Sequence, residues 1–128
     1  LVRRDLKIDS NNFGLAGHSM GGMGITRSAH WLTDQFSFFL PTAAGMDPLG
    51  ATEENLISNF NTVYEHHQGL QDSFQVFIER CQNQEKVMAE TEQKYNLNSG
   101  LSIKYYDGPH NYDRPLLKSA LEHHFTHT

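Results

Sequence analysis

The chain of 128 residues has a formal charge of −5, from 10 basic and 15 acidic side chains, and a single cysteine. This length suits one domain with one core, for which eight Phe, five Tyr and one Trp supply large side chains. No basic cluster exceeds Arg3-Arg4, which argues against a nucleic-acid partner. One cysteine excludes an internal disulfide, and without a run of about 18 apolar residues no membrane span is predicted.

Hydrophobic periodicity and turn residues predict alternating strands and helices along the chain. Residues 1–8 are typical of the end of a helix, and residues 9–12 of a turn. The elements predicted after them are a strand at 13–16, a helix at 21–32, a strand at 36–40, a short helix at 53–59, a strand at 61–67, a helix at 74–95, a strand at 101–106 and a helix opening at Pro115. Residues 96–100, with Gly100 as the stop signal, are expected to terminate the helix at 74–95. This alternation indicates an α/β fold with a parallel sheet and flanking helices.

A Gly-x-Ser-x-Gly pattern occupies residues 17–21, between the first predicted strand and the first helix. Ser19, at its centre, is expected on a strained strand-to-helix turn, a nucleophile elbow that lifts its hydroxyl above the sheet. The flanking glycines leave room for chain segments that pack closely there. The backbone N–H of Met20 is expected to donate to a developing oxyanion. A turn that needs glycines for packing alone is the other interpretation of this pattern.

A serine nucleophile needs a general base, and the base needs an orienting carboxylate. Around a nucleophile elbow the chain order is Ser, then Asp or Glu, then His. Asp72 follows the third predicted strand and His110 follows the fourth, so both belong at the carboxyl edge of the sheet, as Ser19 does. Asp47 follows the second strand and is the alternative acid.

The other seven histidines fit the role of base less well because of their positions. They are His18 inside the turn and expected to point elsewhere, His30 on the first helix, His66 and His67 ahead of Asp72, and His123, His124 and His127 at the chain's last helix. No cysteine or carboxylate pattern completes a ligand set around the last three, so no metal and no cofactor is predicted. Cys81 lies on the apolar stripe of the long helix and is expected in the core.

Three segments carry a family resemblance: residues 15–22 around the serine, 69–74 around Asp72 and 108–112 around His110. Together they resemble the esterase D-like branch of the α/β-hydrolases, which includes feruloyl, acetylxylan and tributyrin esterases and S-formylglutathione hydrolases. The resemblance spans about residues 8–125. It implies a serine carboxylic-ester hydrolase that acts on a small-molecule ester through Ser19, His110 and Asp72 and an acyl-enzyme. The alternatives are a thioesterase or acyltransferase of the same fold, and a non-catalytic binding or assembly module.

Two features depart from that family. The strand ahead of Asp72 is polar at residues 65–67, where the family's strand is usually apolar. The family also has several strands ahead of the serine turn, and a loop among them provides the second oxyanion N–H. Neither those strands nor an initiator Met precedes residue 13. We therefore expect residues 1–128 to form a partial domain, the C-terminal half of an α/β-hydrolase fold, whose first strand is covered by a missing N-terminal half or a partner chain.

Overall fold

A four-stranded parallel sheet in the order β1-β2-β3-β4 forms the centre of the fold. The structure is a computed structural model that describes residues 13–58, 62–98 and 100–127. Its strands are β1 (Gly14–His18), β2 (Phe38–Thr42), β3 (Val63–Gly69) and β4 (Leu101–Tyr106), and its helices are α1 (Met20–Ser28), α2 (Glu53–Ser58), α3 (Gln75–Tyr95) and α4 (Arg114–His127). This architecture confirms the predicted parallel sheet with flanking helices. The predicted helix end at residues 1–8 and the turn at 9–12 lie outside the described residues.

The predicted ends of the second strand and of the helix at 21–32 are wrong for identifiable reasons. The second strand continues through Pro41, which pairs in register with Gly17, while no pair with β3 forms between Phe39 and Thr42. Pro41 has no N–H to donate, and it lies where the hydrogen-bonded pairing of β2 with β3 is interrupted. The long helix predicted at 74–95 is observed at Gln75–Tyr95, and within the predicted terminating segment it is Asn96 that closes it, in the left-handed conformation with φ 53°. The helix predicted at 21–32 is also shorter, since a 3₁₀ turn replaces its last residues.

Apolar side chains cover both faces of the sheet. On one face Phe39 and Tyr64 pack with residues of α1, α2 and α3. On the other face Phe38 and Leu40 pack against Ala120 of α4. Neighbouring residues of β2 thus serve opposite cores, as the alternation of a strand requires. No helix of the described residues is long and apolar enough to cross a membrane.

The polar side chains of β3 are buried within this arrangement. Glu65 faces α4, where its Oε2 lies 2.5 Å from His67 Nε2 and its Oε1 lies 3.1 Å from His124 Nε2. Lys104 Nζ lies 3.3 Å from the same Oε1. Each carboxylate oxygen therefore has a polar partner, which is what allows a charged side chain inside a strand.

We expect Glu65→Gln to lower the free energy of unfolding at pH 6 by about 2–3 kcal/mol. Burial acts to raise the pKa of Glu65, but the bonds from His67, Lys104 and His124 outweigh it and bring this pKa to about 2. Because the folded pKa lies below the ordinary value of 4.5, the stabilisation is present above that pH and is lost as the pH falls toward 2.

Urea unfolding at pH 6 and at pH 3 measures this effect of Glu65. The difference between wild type and variant should shrink at the lower pH. Glu122→Gln is the control, because that carboxylate is 65% exposed and should contribute little at either pH. An equal loss at both values of pH would contradict the role given to the Glu65 charge.

Candidate active site

Ser19 occupies the sharp turn between β1 and α1. Its backbone has φ 55° and ψ −111°, a strained conformation for a residue other than glycine. Its N–H donates to the Thr42 carbonyl at 2.8 Å, and its own carbonyl accepts from the Met23 N–H at 2.9 Å. The neighbouring strand and the new helix therefore hold this backbone in place, with the hydroxyl at the carboxyl edge of the sheet.

The structure brings Ser19, His110 and Asp72 together in one hydrogen-bonded row. Ser19 Oγ lies 2.8 Å from His110 Nε2, and His110 Nδ1 lies 2.6 Å from Asp72 Oδ2. Asp72 is an acceptor, so Nδ1 carries the proton and Nε2 is left to accept from the serine hydroxyl. The three residues follow β1, β3 and β4, and they meet because parallel strands end at the same edge.

Asp47, the alternative acid, is engaged elsewhere. Its Oδ2 lies 3.6 Å from Arg27 Nη2 and 3.8 Å from Arg80 Nη2. These two guanidinium groups belong to α1 and α3, so Asp47 ties the loop after β2 to both helices. The carboxylate at His110 is that of Asp72.

Three donors surround the Asp72 carboxylate, whose side chain is fully buried. Besides His110, the Phe74 N–H donates to Oδ1 at 2.8 Å and the Gln68 amide donates to Oδ2 at 3.0 Å. Burial acts to raise the pKa of Asp72, but the bonds from His110, Phe74 and Gln68 outweigh it and hold this pKa below its ordinary value. Asp72 is therefore an anion at neutral pH. Gln68 was not anticipated as a site residue, although it is a polar residue in a buried strand four positions ahead of the acid.

Aromatic rings fix the plane of the His110 imidazole. Phe77 stacks on it with ring centres 5.4 Å apart, and Phe74 meets it edge-on at 5.0 Å. The His18 ring lies 5.3 Å from it on another side, so the expectation that His18 points away from the site is wrong. His18 Nδ1 lies 2.6 Å from Thr42 Oγ1. Burial and the neighbouring His110 lower the pKa of His18 and favour its neutral form.

Two glycines near Ser19 are required by close packing, but only one of them belongs to the pattern's flanks. A Cβ on Gly17 would lie 2.7 Å from the carbonyl carbon of Gly21. A Cβ on Gly22 would lie 2.9 Å from the Thr42 carbonyl oxygen, whereas a Cβ on Gly21 would meet nothing within 4 Å. The expected crowding therefore holds at Gly17 and is wrong at Gly21, because position 21 faces away from the sheet.

We expect Gly22→Ala to lower the free energy of unfolding by about 1–3 kcal/mol, because the new methyl group forces β2 and α1 apart. Gly21→Ala is the matched control, and it should be neutral or stabilising by up to about 1 kcal/mol through its higher helix propensity. Urea unfolding of both variants measures the difference. Equal free energies for the two variants would contradict this steric assignment.

The remaining predicted site residue is Met20. It is the first residue of α1, and its side chain is 79% exposed. An N–H at the first helical position has no acceptor within the helix, so it is available to a ligand next to Ser19. Among the described residues no group of three or more His, Cys, Asp and Glu side chains is arranged to hold a metal ion.

Several solved structures share this fold. A ferulic acid esterase matches 94% of this chain and 53% of its own, with a TM-score of 0.64 and 16% identity. S-formylglutathione hydrolase from Staphylococcus aureus matches 98% of this chain and 55% of its own, with a TM-score of 0.58 and 17% identity. Acyl-protein thioesterase 2 from Zea mays matches 87% and 54%, with a TM-score of 0.62 and 15% identity.

The chain spans about half the length of these solved structures. No family model matches the sequence, and no curated protein does. At such low identities the likeness concerns the fold, which agrees with the four parallel strands, the flanking helices and the turn at Ser19. The chain therefore has the α/β-hydrolase fold that these esterase and thioesterase structures share, and it corresponds to about half of that fold.

Proposed function

We propose that the chain carries the catalytic centre of a serine carboxylic-ester hydrolase. In this proposal Ser19 is the nucleophile, His110 is the general base and then the general acid, and Asp72 orients the imidazole. The observation that supports it most is the row of hydrogen bonds from Ser19 through His110 to Asp72, with Ser19 on a strained turn in the manner of a nucleophile elbow. The ester class is supported by the esterases that share the fold.

The reaction has two halves, acylation and deacylation of Ser19, and in each of them His110 takes up one proton and then gives it back. Ser19 Oγ attacks the ester carbonyl carbon while its proton passes to His110 Nε2. The carbonyl oxygen becomes an oxyanion that accepts the Met20 N–H. His110 returns the proton to the departing alcohol, and Ser19 is left acylated. A water molecule then attacks the acyl carbon, gives its proton to His110, and the acid is released as Ser19 recovers its hydroxyl proton.

A fluorophosphonate probe tests this proposal on the native protein, with any partner chain bound. Such probes react with an activated serine, so peptide mass spectrometry should find the adduct on Ser19. Turnover of p-nitrophenyl acetate should accompany the labelling. A folded protein that is not labelled and shows no turnover would contradict the proposal and favour a non-catalytic binding or assembly module.

Thioester cleavage is a second candidate, supported by the shared fold of the acyl-protein thioesterase. The same residues would act in it, because attack on a thioester passes through the same kind of tetrahedral intermediate. Comparing kcat/KM for an ester and a thioester of one acyl group would distinguish the two. Product analysis in the presence of an added alcohol would reveal acyl transfer.

We also propose that an N-terminal half or a partner chain covers β1 and supplies the second oxyanion N–H. In the described residues β1 is an edge strand that pairs with β2 alone. Loss of one oxyanion donor costs about 10²–10³-fold in rate, so residues 1–128 alone should be slower than the covered enzyme by that factor. A monomer of these 128 residues, identified by light scattering, with the kcat of the native protein would contradict this proposal.

A further inference from the structure

Gln68 stands at the end of β3 with a side chain that is fully buried. It lies on the α3 side of the sheet, together with Tyr64 and His66. Burying an amide in a core is unfavourable unless its donor and acceptor groups find partners. The partners of Gln68 therefore indicate what keeps a polar residue at this position.

The two ends of the Gln68 amide meet chemically different groups. Its Nε2 donates to Asp72 Oδ2 at 3.0 Å and to the Gly69 carbonyl at 3.1 Å. Its Oε1 faces Cys81 Sγ at 3.9 Å, where the thiol is the donor. Burial raises the pKa of Cys81 to about 12, so the thiol keeps its proton. A thiol on one side and a carboxylate on the other define which way the amide points.

Gln68 and His110 donate to the same carboxylate oxygen. The imidazole Nδ1–H reaches Asp72 Oδ2 at 2.6 Å, and the Phe74 N–H occupies Oδ1. The carboxylate cannot rotate without breaking the bond to Gln68 or the bond to Phe74. Gln68 therefore fixes the position of Asp72 Oδ2. Because His110 Nδ1–H bonds the same oxygen, Gln68 also fixes the orientation of the imidazole ring.

We propose that Gln68 is a positioning residue of the active site, which holds the Asp72 oxygen that orients His110. This inference rests on the proposed function of Ser19, His110 and Asp72. It also explains why the polar strand β3 has a buried polar side chain at residue 68: the Asp72 carboxylate needs a hydrogen-bond donor there.

The titratable groups that face Asp72 and His110 come from three other elements. They are His18 at the end of β1, Cys81 on α3 and Tyr106 at the end of β4. Burial raises the pKa of both Cys81 and Tyr106 to about 12, so neither titrates between pH 5 and pH 9. His18 can titrate in this range, but it lies beside His110 in the wild type and in the Gln68 and Gln84 variants alike. A difference between their pH profiles is therefore due to the substitution.

The test compares Gln68→Met and Gln68→Glu with the matched control Gln84→Met. Gln84 is an equally buried glutamine on α3, but its amide has no hydrogen bond to Asp72. The rate of p-nitrophenyl acetate hydrolysis is measured at a series of pH values. Each rate is divided by the concentration of active sites, which is determined by titration with a fluorophosphonate. Misfolded molecules then drop out of the comparison.

Gln68→Met removes the donor while keeping the length of the side chain. It should lower kcat by about 10- to 100-fold with little change in KM, the range expected for a lost bond to a charged group. Gln68→Glu places a second buried carboxyl group beside the Asp72 carboxylate, so the two groups share one proton and the glutamic acid hydroxyl donates to Oδ2 in place of the amide. Its kcat should exceed that of Gln68→Met near neutral pH and fall at higher pH, where the shared proton is lost. Gln84→Met should keep both the kcat and the pH dependence of the wild type.

Wild-type kcat per titrated serine in Gln68→Met, or an equal loss of kcat in Gln68→Glu and Gln68→Met near neutral pH, would overturn the role of Gln68. If Gln68→Met does not fold, the isosteric Gln68→Glu carries the test alone, because a kcat that stays at the wild-type value at high pH, where the shared proton is lost, would overturn the role of Gln68. A wild type that is neither labelled nor active would instead refute the proposed function. If the Gln68 variants have the kcat of the wild type while Ser19→Ala is inactive, only the positioning role of Gln68 is refuted.

Discussion

Replacing Ser19 with alanine is expected to abolish fluorophosphonate labelling and to lower kcat for p-nitrophenyl acetate by about 10⁵- to 10⁶-fold. The reason is that the variant has no oxygen 2.8 Å from His110 Nε2, so no acyl-enzyme can form. KM should change little, because the alanine removes an atom that reacts rather than one that binds. Stopped assays with mass spectrometry of the intact protein measure both effects.

Ser28→Ala provides the control for that experiment. Its hydroxyl bonds the Gly24 carbonyl within α1 and lies on an exposed surface, away from the site. This variant should keep wild-type labelling and turnover. An adduct that persists in Ser19→Ala would place the reactive nucleophile elsewhere and remove the basis of the proposed mechanism.

The second large effect is expected at Asp72. Asp72→Asn should lower kcat by about 10⁴-fold while the fold is retained. An asparagine amide can donate to His110 Nδ1, which favours the tautomer whose proton is on Nε2. That nitrogen then cannot accept the proton of Ser19, although all three side chains remain in place. Steady-state kinetics together with urea unfolding separate this loss from a loss of stability.

Asp47→Asn is the matched control, because Asp47 is the other acid that follows a strand and it pairs with Arg27 and Arg80. Its kcat should remain within about threefold of wild type, since Asp47 is not bonded to His110 and each of its long ion pairs contributes about 1 kcal/mol or less. A loss at Asp47 that equals the loss at Asp72 would reverse the assignment of the acid.

The positions of Ser19, Asp72 and His110 could be predicted because a topological rule fixes them. Each residue directly follows a strand, and all strands of a parallel sheet end at one edge. Neither long-range packing nor side-chain geometry was needed to expect that they converge. Strand and helix alternation was sufficient for that convergence. It did not choose between Asp72 and Asp47, which both follow strands, and the family resemblance of residues 69–74 favoured Asp72.

Other features depended on contacts that local patterns do not contain. Gly21 and Gly22 are neighbours in sequence, yet only Gly22 meets the backbone of β2. Asn96 closes α3 with a positive φ, a conformation that glycine adopts more readily, so residue type alone did not single out Asn96 within the terminating segment 96–100. The polar residues of β3 argued against an acid after this strand, because the partners that allow their burial lie far away in sequence: Cys81 on α3, Lys104 on β4 and His124 on α4.

The strands lie in the sheet in the order in which they occur in the chain. During synthesis each new strand can therefore pair with the strand made just before it, without waiting for a distant segment. The chemistry has a different timetable, because the imidazole at residue 110 is the last member of the row to be made. A nascent chain that ends before residue 110 would hold Ser19 without the imidazole that accepts its hydroxyl proton.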